Sequence, residues 1–323
     1  MKLQPKVYIV ILNYQSWSDT IECLESLFQL KYENKEIIVV DNASPNNSHE
    51  KLINWATENN LLFNVLLEKE LGQVSSLDRK NSFSFLKATA NRGFASGNNL
   101  GIRYVLQKND HDYIWLLNND TTVDPNSLAE LVNGAETDQS QNKRVGIWGS
   151  KLLYFHKPHL IQALGGKLDR RSFTTSHLHE GEQDSASHNV LSLPLDYVVG
   201  ASLFVSRKFI EEVGLLNEDY FLYFEELDWA ERSRKAGFEL GYVPTSRVYH
   251  KEGSTIGSSN SGKKKSDLAD YHGQRSKILF FKTYYPERKF QLLFILSVSV
   301  ILRLSRFQFK RAISIIKLIY GKI

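Results

Sequence analysis

The sequence predicts an α/β protein with a mixed, mainly parallel β-sheet flanked by helices, in a Rossmann-like layout, followed by a helical basic tail. Three observations support this fold class. Uninterrupted apolar runs are typical of strands that are buried on both faces of a parallel sheet. Amphipathic segments lie between these runs, as crossover helices do. The end of the 323-residue chain combines apolar and basic residues.

The first half of the chain alternates strand and helix patterns. The segment VYIVIL near the start is a continuous apolar strand, whereas Ile21, Leu24 and Phe28 have helical spacing. Strands are predicted at residues 7–12, 36–40, 62–67 and 113–117, and helices at residues 19–29, 48–59 and 98–107. No structure is predicted for residues 68–88.

The second half has weaker patterns. Strands are predicted at residues 145–153, 196–205 and 240–243, and helices at residues 209–213, 227–236 and 271–277. Gly237 is a typical C-terminal end for the helix before it. Residues 157–190 are polar and rich in histidine, which predicts a loop or hairpin excursion. Residues 252–266 are rich in Gly, Ser and Lys, which predicts a mobile loop.

The composition is that of an ordinary globular protein and fits a reducing compartment such as the cytoplasm. Charged residues make up 24% of the chain, as in an ordinary soluble enzyme. Cys23 is the only cysteine, which excludes an intramolecular disulfide and fits a reducing compartment. The first residues lack the cleavage site of a signal peptide and are expected to start the sheet.

Basic residues are concentrated in the C-terminal tail. From Lys282 onward the chain has nine Lys/Arg and one acidic residue, whereas the remainder has 31 basic and 35 acidic residues. The uncharged run Phe290–Leu302 is too short for a transmembrane helix. Basic and apolar residues mixed through residues 290–323 favour helices that lie on an anionic membrane surface. The alternative is a helix docked on the core with a solvated basic face. Nucleic acid as a partner would explain neither the acidic body nor the apolar tail.

Polar residues follow three predicted strands. The first strand ends in Asn13-Tyr14, the second in Asp41-Asn42 and the fourth in Asn118-Asn119-Asp120. Ligands of parallel α/β sheets bind beyond the carboxyl ends of the strands, so this clustering predicts a binding site there. Asn and Asp also favour turns and helix caps, which is an equally good explanation for any one strand end.

Seven segments together resemble a known family. They are VYIVILNYQS, IIVVDNAS, NRGFASGNN, YIWLLNND, GASLFVSR, GLLNEDYFLYFEELDWAERSRKAGF and VYHKEGST. In this order they resemble the inverting glycosyltransferases of family 2, which have the GT-A fold, and among these the bacterial rhamnosyltransferase-type enzymes. The resemblance covers roughly residues 6 to 285. Residues 68–88 form a longer link than is usual in the family.

The resemblance implies a divalent cation, Mn²⁺ or Mg²⁺, in the site. Asp120 and His250 match the ligand positions of the family, and Asn118 stands where the usual Asp-x-Asp motif has its first Asp. An amide oxygen is a neutral ligand, so this site is expected to hold its metal more weakly. An imidazole beside a carboxylate favours Mn²⁺ over Mg²⁺. The alternative for Asp120 is a turn cap.

The resemblance also implies a nucleotide diphosphate-sugar as donor. Asp41 matches the acid that reads the base, and its carboxylate can accept the imino N–H of uracil or thymine, which favours dTDP or UDP sugars. Gly93 begins a loop and helix whose N–H groups favour anions. Arg275 matches an arginine that reaches the diphosphate, or is a solvated helix charge. The residues expected to bind the nucleotide-sugar are Asn13, Tyr14, Asp41, Asn91, Arg92, Gly93, Asn98, Asn119 and Arg275.

The segment FEELDW is expected to contain the catalytic residues. Acids in a first helical turn are common because they complement the helix dipole, but here apolar neighbours favour a raised carboxyl pKa. Glu226 matches the catalytic base of the family, and Asp228 is expected to orient a neighbour and to pair with Arg232. Glu225, Gly200 and Ala201 are expected to contact the acceptor.

The expected protein is a metal-dependent inverting glycosyltransferase on the inner face of the plasma membrane. It moves a sugar, with rhamnose from dTDP-rhamnose as the first candidate, to a lipid-linked or growing saccharide. A UDP-hexose or UDP-galactofuranose donor is an alternative, and a catalytically idle sugar- or lipid-binding module is another. A nucleotidyltransferase is disfavoured because the chain has no Gly-rich basic loop near its start. Residues 1–125 are expected to bind the nucleotide, residues 126–289 the acceptor and residues 290–323 the membrane.

Overall fold

The structure is a computed structural model, and it describes residues 4–73, 82–190, 194–251 and 266–321. Its strands are β1 Val7–Asn13, β2 Lys35–Asp41, β3 Leu62–Leu67, β4 Ser82–Lys87, β5 Tyr113–Asn118, β6 Thr121–Val123, β7 Val145–Tyr154, β8 Lys157–Ala163, β9 Gly166–Asp169, β10 Thr174–His177, β11 Ser202–Ser206 and β12 Glu239–His250. Its α-helices are α1 Trp17–Phe28, α2 Ser48–Glu58, α3 Phe94–Lys108, α4 Ser127–Ser140, α5 Arg207–Val213, α6 Glu225–Lys235, α7 Asp267–Tyr284, α8 Lys289–Ser305 and α9 Phe309–Tyr320.

One ten-stranded mixed sheet forms the centre of the fold, in the order β3-β4-β2-β1-β5-β11-β7-β12-β6, with β8 paired to β7. The pairs from β3 to β5 are parallel, whereas β11 is antiparallel to both of its neighbours. This arrangement confirms the predicted fold class. Because β11 lies between β5 and β7, strands from the two halves of the chain share a single sheet.

The sheet is covered by helices on both faces, as its apolar strands require. Side chains alternate along a strand, so Ile9 and Ile11 of β1 pack with α1, α2 and α4. Tyr8 and Val10 face the other side, where they pack with α3, α5 and α6. This double burial explains why the early strands are apolar throughout.

Three predicted elements have different bounds in the structure. The strand predicted at residues 196–205 starts only at Ser202, because the chain turns there, with Ser202 N donating to Val199 O. Strand β12 is much longer than predicted and passes through Pro244, where the register to β7 shifts between Val243 and Arg247. Helix α3 begins at Phe94 rather than Asn98.

Three regular elements were not predicted, and two regions are more ordered than expected. Strands β4 and β6 and helix α4 have no counterpart in the sequence prediction. The excursion at residues 157–190 contains β8 of the main sheet and the antiparallel hairpin β9–β10. The segment 68–88 supplies a 3₁₀-helix at Glu68–Gln73 and β4. The predicted mobile loop 252–266 lies outside the described residues, except for Ser266.

The tail is a helical hairpin, α8–α9, that packs on α7. Its buried residues Leu296 and Ile315 contact Ile278 and Phe281 of α7 in one apolar cluster. Arg303 forms an ion pair with Asp270 of α7, at 2.6 Å. No helix in the described part of the chain is both long enough and apolar enough to cross a bilayer. The tail is therefore docked on the body, as the alternative prediction held, while its other face is exposed.

Candidate active site

The carboxyl ends of β1, β2 and β5 meet at one edge of the sheet. In register, Asn13 of β1 is paired with Asp41 of β2, and Leu12 is paired with Asn118 of β5. The structure thus brings the three predicted polar strand ends together. The parallel pairing is the cause, because it aligns equivalent ends of neighbouring strands.

Asp120 and His250 form the centre of the predicted metal site. His250 Nε2 lies 3.1 Å from Asp120 Oδ1, and the two side chains are only 12% and 8% exposed. The pairing of β12 with β6 places His250 opposite Thr121, next to Asp120. Two residues that are 130 positions apart in the chain therefore meet as predicted.

Gln162 contacts the predicted metal site, and no pattern in the sequence predicted this contact. Its Oε1 lies 2.8 Å from His250 Nδ1, and its side chain is buried. An Nδ1–H that donates to this oxygen leaves the Nε2 lone pair directed at Asp120. A carboxylate and an imidazole oriented in this way suit a divalent cation, so the residues present fit the implied metal.

The predicted nucleobase acid belongs to a buried hydrogen-bond chain. Asn119 Nδ2 donates to Thr20 Oγ1 at 3.0 Å, and Thr20 Oγ1 donates to Asn13 Oδ1 at 3.0 Å. Asn13 Nδ2 in turn donates to Asp41 Oδ1 at 2.7 Å. This chain links the end of β5 to the end of β2 and fixes the Asp41 carboxylate. Tyr14 follows Asn13 and is half-buried.

The predicted donor loop is held tightly against the segment before α6. Gly93 has φ +98°, and a Cβ there would lie 2.2 Å from Phe221 O, so no other residue fits. Asn42 Nδ2 donates to both Gly93 O and Asn91 Oδ1. Asn98 Nδ2, by contrast, donates to Phe94 O within helix α3. These contacts place the loop between β2 and the acidic segment.

Arg92 of the donor loop is engaged by the long link. Its guanidinium lies 2.8 Å from Glu68 Oε1, and Glu68 Oε2 accepts hydrogen bonds from Thr89 N and Thr89 Oγ1. The 3₁₀-helix at Glu68–Gln73 therefore holds the segment that leads into the donor loop. This contact gives the link a role that its sequence did not reveal.

Glu225 and Glu226, the acid pair, are the first two residues of helix α6, and the two residues before them have a strained backbone. Tyr223 and Phe224 have φ of 67° and 71°, which is unusual for aromatic residues and typical of functional sites. Glu225 is buried, and its Oε2 has no hydrogen-bond partner among the described residues. Burial raises the pKa of Glu226 to about 7, and burial together with the charge of Glu226 raises the pKa of Glu225. The charge of Glu226 also adds to the burial that raises the pKa of Tyr197.

Asp228 is fully engaged in positioning contacts. Its Oδ2 accepts from Arg232 Nε at 2.8 Å, which confirms the predicted pair, and its Oδ1 accepts from Tyr284 OH at 2.7 Å. Arg232 also donates to the carbonyls of Val213 and Leu215. Asp228 thus ties α6 to α7 and to the end of α5.

The structure also places three other predicted residues, Arg275, Gly200 and Ala201. Arg275 Nη1 donates to Asp219 O at 2.5 Å, so this helix charge supports the loop before α6 rather than standing in solvent. A Cβ at Gly200 would meet no atom within 4 Å, which leaves open space beside it. The next residue, Ala201, accepts a hydrogen bond at its carbonyl from Asn118 N, at 3.1 Å. The expected acceptor segment therefore lies against the strand that leads to Asp120.

Comparisons with known proteins agree with this geometry. Two family models match the chain, glycosyl transferase family 2 over residues 8–179 and glycosyl transferase family group 2 over residues 113–311. The low-salt glycan biosynthesis hexosyltransferase Agl10 of Haloferax volcanii is 25% identical over 258 residues, which are 76% of this chain and 66% of that protein. The N-acetylglucosaminyl-diphospho-decaprenol L-rhamnosyltransferase of Mycobacterium tuberculosis is 28% identical over 175 residues, which are 50% of this chain and 52% of that protein.

A solved structure shares the fold. The structure of GalNAc-T7 with UDP, GalNAc and Mn²⁺ has a TM-score of 0.60 at 16% identity, over 90% of this chain and 50% of that one. The chain thus spans from about half to about two thirds of the length of these proteins. Its sheet and flanking helices are those of the GT-A fold. With a family model matched over more than half of its length, the chain belongs to glycosyl transferase family 2.

Proposed function

We propose that this protein is a metal-dependent, inverting glycosyltransferase that uses a nucleotide diphosphate-sugar. The observation that carries the proposal is the meeting of Asp120 and His250 beside the sheet edge that also holds Asp41. The donor loop joins this edge to the acid pair, because Gly93 packs against Phe221, a few residues before Glu226. The donor loop thus lies between the end of β2 and the segment that leads to the candidate base.

Asp120 and His250 would hold the cation, with Asn118 as a third, neutral ligand. A divalent cation bound there supplies positive charge beside the leaving nucleotide diphosphate. Gln162 keeps the His250 ring in the orientation and tautomer that this requires. In this proposal Arg275 and Arg92 lie on the diphosphate side of the donor, and each also has a protein partner, Asp219 O and Glu68. The N–H groups of Gly93 and Phe94 donate to Asn91 Oδ1 and Phe221 O, so in this structure they are not available to the anion that the sequence predicted there.

Glu226 is the proposed general base. It removes the proton from the acceptor hydroxyl while that oxygen forms a bond to the anomeric carbon and the bond from that carbon to the diphosphate breaks. The products are the glycoside, the free nucleotide diphosphate and protonated Glu226. A carboxyl with a pKa near 7 is suited to this transfer at neutral pH. A single displacement of this kind inverts the anomeric centre and needs no covalent sugar–enzyme intermediate.

In this proposal the end of β2 that holds Asp41 binds a uracil or thymine nucleotide. Asp41 is fixed as an acceptor by Asn13, so its carboxylate can take the imino N–H of either base. We propose dTDP-rhamnose as the donor, because an L-rhamnosyltransferase is among the similar proteins. A UDP-hexose or UDP-galactofuranose is the alternative donor. In this division of labour residues 1–125 bind the donor and residues 126–289 the acceptor, with Gly200, Ala201 and Glu225 beside the acceptor.

The acceptor in this proposal is linked to lipid, and the tail brings the protein to the membrane. Apolar side chains recur on the outer face of both tail helices, and Phe290, Phe294 and Phe307 are 74%, 69% and 80% exposed. Lys310 and Lys317 lie among the apolar residues of α9. Such a face suits an anionic lipid surface. The same helices pack on α7, whose Tyr284 contacts Asp228, so the active site lies close to the part that would bind lipid. The name of the mycobacterial relative includes diphospho-decaprenol, which also supports a lipid-linked acceptor.

The proposal is tested by nucleotide diphosphate release from a panel of nucleotide-sugars in the presence of Mn²⁺. We expect release from dTDP-rhamnose to be faster with a polyprenyl diphosphate-linked saccharide than with water alone, and to stop in millimolar EDTA. Asp120→Asn should lower the rate and raise the Mn²⁺ concentration needed for half-maximal activity. Full activity in EDTA would contradict the metal assignment, and no release from any donor in the panel would contradict the enzyme.

A further inference from the structure

The histidine-rich excursion contains a second group of side chains that can bind a cation. Glu182 Oε2 lies 3.1 Å from His179 Nδ1 and 3.1 Å from His188 Nε2. The three ligand atoms all lie within 4.8 Å of one another. Ligands at 2.0–2.2 Å from a tetrahedral zinc ion are separated by roughly 3.3 Å, so small movements of the side chains bring all three to one ion.

The backbone around this group is fixed before any ion binds. Residues 179–182 form a turn in which Glu182 N donates to His179 O, and Glu182 O accepts from Ile161 N of β8 at 2.8 Å. The following segment is anchored by Lys151, a buried cation whose Nζ donates to Asp184 Oδ1 at 2.7 Å. Tyr242 OH donates to His188 O at 3.0 Å. A preorganised group of this kind loses little entropy when it binds an ion.

Binding of an ion by His188 requires the other tautomer of its ring. Without an ion, Ser185 N donates to His188 Nδ1 at 3.2 Å, so Nε2 carries the proton and faces Glu182 Oε2 at 3.1 Å. To bind an ion, the proton moves to Nδ1, which donates to Ser185 Oγ, 3.0 Å away, in place of the bond from Ser185 N, and the Nε2 lone pair is then available on the side of Glu182. An oxygen partner of this kind is what metal-bound histidines usually have.

The chemistry of the group points to a different ion from that of the first site. Glu182 Oε2 lies 3.1 Å from one ring nitrogen of each histidine, and a glutamate side chain is ionised at neutral pH. Two imidazoles and one carboxylate favour a borderline transition metal, whereas Mg²⁺ prefers oxygen ligands. The Glu182 side chain is 55% exposed, which leaves room for a water molecule as fourth ligand.

We propose that His179, Glu182 and His188 form a second cation site, which binds Zn²⁺ or a similar transition-metal ion. The ion would join the turn 179–182 to the 3₁₀-helix at Ala186–Asn189 and so fasten the excursion to β8. Strand β8 also carries Gln162, the partner of His250, next to the residue that pairs with Glu182. The site is therefore structural, and it supports the strand that orients a proposed catalytic ligand.

The test measures Zn²⁺ binding in full-length protein that has been stripped with chelator, with Asp120→Asn as background so that the first site does not contribute. We expect one equivalent of Zn²⁺ in competition with a chromophoric chelator, undisturbed by millimolar Mg²⁺. Adding Glu182→Gln or His179→Ala should weaken binding at least about tenfold, a loss seen even when an outer-shell partner is removed. His159→Ala is the matched control, because it removes an exposed histidine of the same excursion that is outside the group, and its affinity should stay at the background value.

Thermal unfolding gives an independent readout. Zn²⁺ should raise the melting temperature of the background protein and of His159→Ala, but not that of Glu182→Gln, since an ion that binds only the folded state stabilises it. Both Glu182 and His179 are partly exposed, so these variants should fold. Equal Zn²⁺ affinity with and without Glu182→Gln, or no binding at micromolar Zn²⁺, would overturn the proposal. Because sugar transfer is not measured, that result would leave the proposed glycosyltransferase activity unaffected.

Discussion

At the residue scale, the orientation of His250 depends on one buried amide. Gln162 Oε1 accepts from His250 Nδ1 at 2.8 Å. A ring that turns or changes tautomer presents the wrong atom to a cation. The geometry of the proposed metal site is therefore decided partly by a residue that does not touch the metal.

Replacing this amide should weaken the metal site without removing a ligand. We expect Gln162→Leu to raise the Mn²⁺ concentration for half-maximal transfer by about 10- to 100-fold, with transfer restored at high Mn²⁺. Gln183→Leu, in the same excursion, serves as the control and should behave like the natural protein. An unchanged Mn²⁺ dependence in Gln162→Leu would show that the amide does not orient His250.

Proton transfer from the acceptor should also depend on a single residue, the proposed base Glu226. Glu226→Gln keeps the size of the side chain but cannot accept a proton, so we expect turnover to fall by about a hundredfold or more. Binding of the nucleotide, measured by calorimetry, should survive because Glu226 is not expected to contact it. Glu25→Gln, an exposed acid on α1, is the matched control. Near-normal turnover would instead move the base to Asp228.

The pH dependence of sugar transfer should follow from the titration of Glu226. Only the carboxylate form accepts a proton, and burial raises the pKa of Glu226 to about 7, so the active form is lost as the pH falls through that value. We expect kcat/KM to drop about tenfold per pH unit below 7 and to level off above it. Glu225 shares this environment, and Tyr197 is the other titratable neighbour. A profile that is flat from pH 5 to 8 would rule out this assignment.

At the element scale, α7 supports the segment 219–224 that leads into α6. Ser276 Oγ donates to Leu222 O, Arg275 donates to Asp219 O, and Tyr284 OH donates to Asp228. These contacts fix both ends of the segment that leads into α6. The strained residues before Glu225 are sustained by such surroundings, because a positive φ persists only where neighbouring contacts enforce it.

Strand β7 carries a buried cation that fastens the excursion. The side chain of Lys151 is 1% exposed, and its partner Asp184 also pairs with Arg247. Lys151→Met leaves the mostly buried Asp184 with Arg247 as its remaining cation, so we expect the free energy of unfolding to fall by about 2 kcal/mol, measured in urea. Lys143→Met removes a half-exposed pair and should cost at most about 1 kcal/mol. Equal midpoints for the two variants would contradict this account.

At the scale of the whole molecule, the tail has two different faces. One face completes the core with Leu292, Leu296 and Ile315, so deleting residues 290–323 would expose buried apolar surface of α7. Arg303 is engaged by Asp270 and does not belong to the exposed basic set. Binding of the tail to a membrane is therefore better tested by substituting exposed residues than by deleting the tail.

Changing the exposed face should separate membrane binding from folding. We expect the triple variant Phe290→Ser, Phe294→Ser, Phe307→Ser to lose most of its binding to vesicles with anionic phospholipid in a flotation assay. Its melting temperature should stay close to that of the natural protein, since these rings are exposed. Binding of the natural protein should weaken in high salt, because the basic residues act through screened charge. Equal flotation of both proteins would refute the membrane role.

Local patterns predicted much of the fold and part of the site. Strands β1, β2, β3, β5 and β7 and helices α1 and α2 have nearly the predicted bounds. Helix α4 was missed although Leu128, Leu131, Val132 and Ala135 have helical spacing, so its signal was present. Strand β4 was also missed although its sequence, SFSFLK, begins with the alternation of polar and apolar residues that is typical of a strand. Its partners β2 and β3 decide that it is a strand.

The α/β class, the polar ends of the parallel strands and the membership of the family can be read from the residue order alone, because these depend on short runs of neighbouring residues. The contacts of Gln162 with His250, of Glu68 with the donor loop, and of Glu182 with two histidines appear only in the folded chain. Those contacts join residues through strand pairing and turns, so no local pattern records them. Long-range pairing brings them together only when the whole sheet has formed.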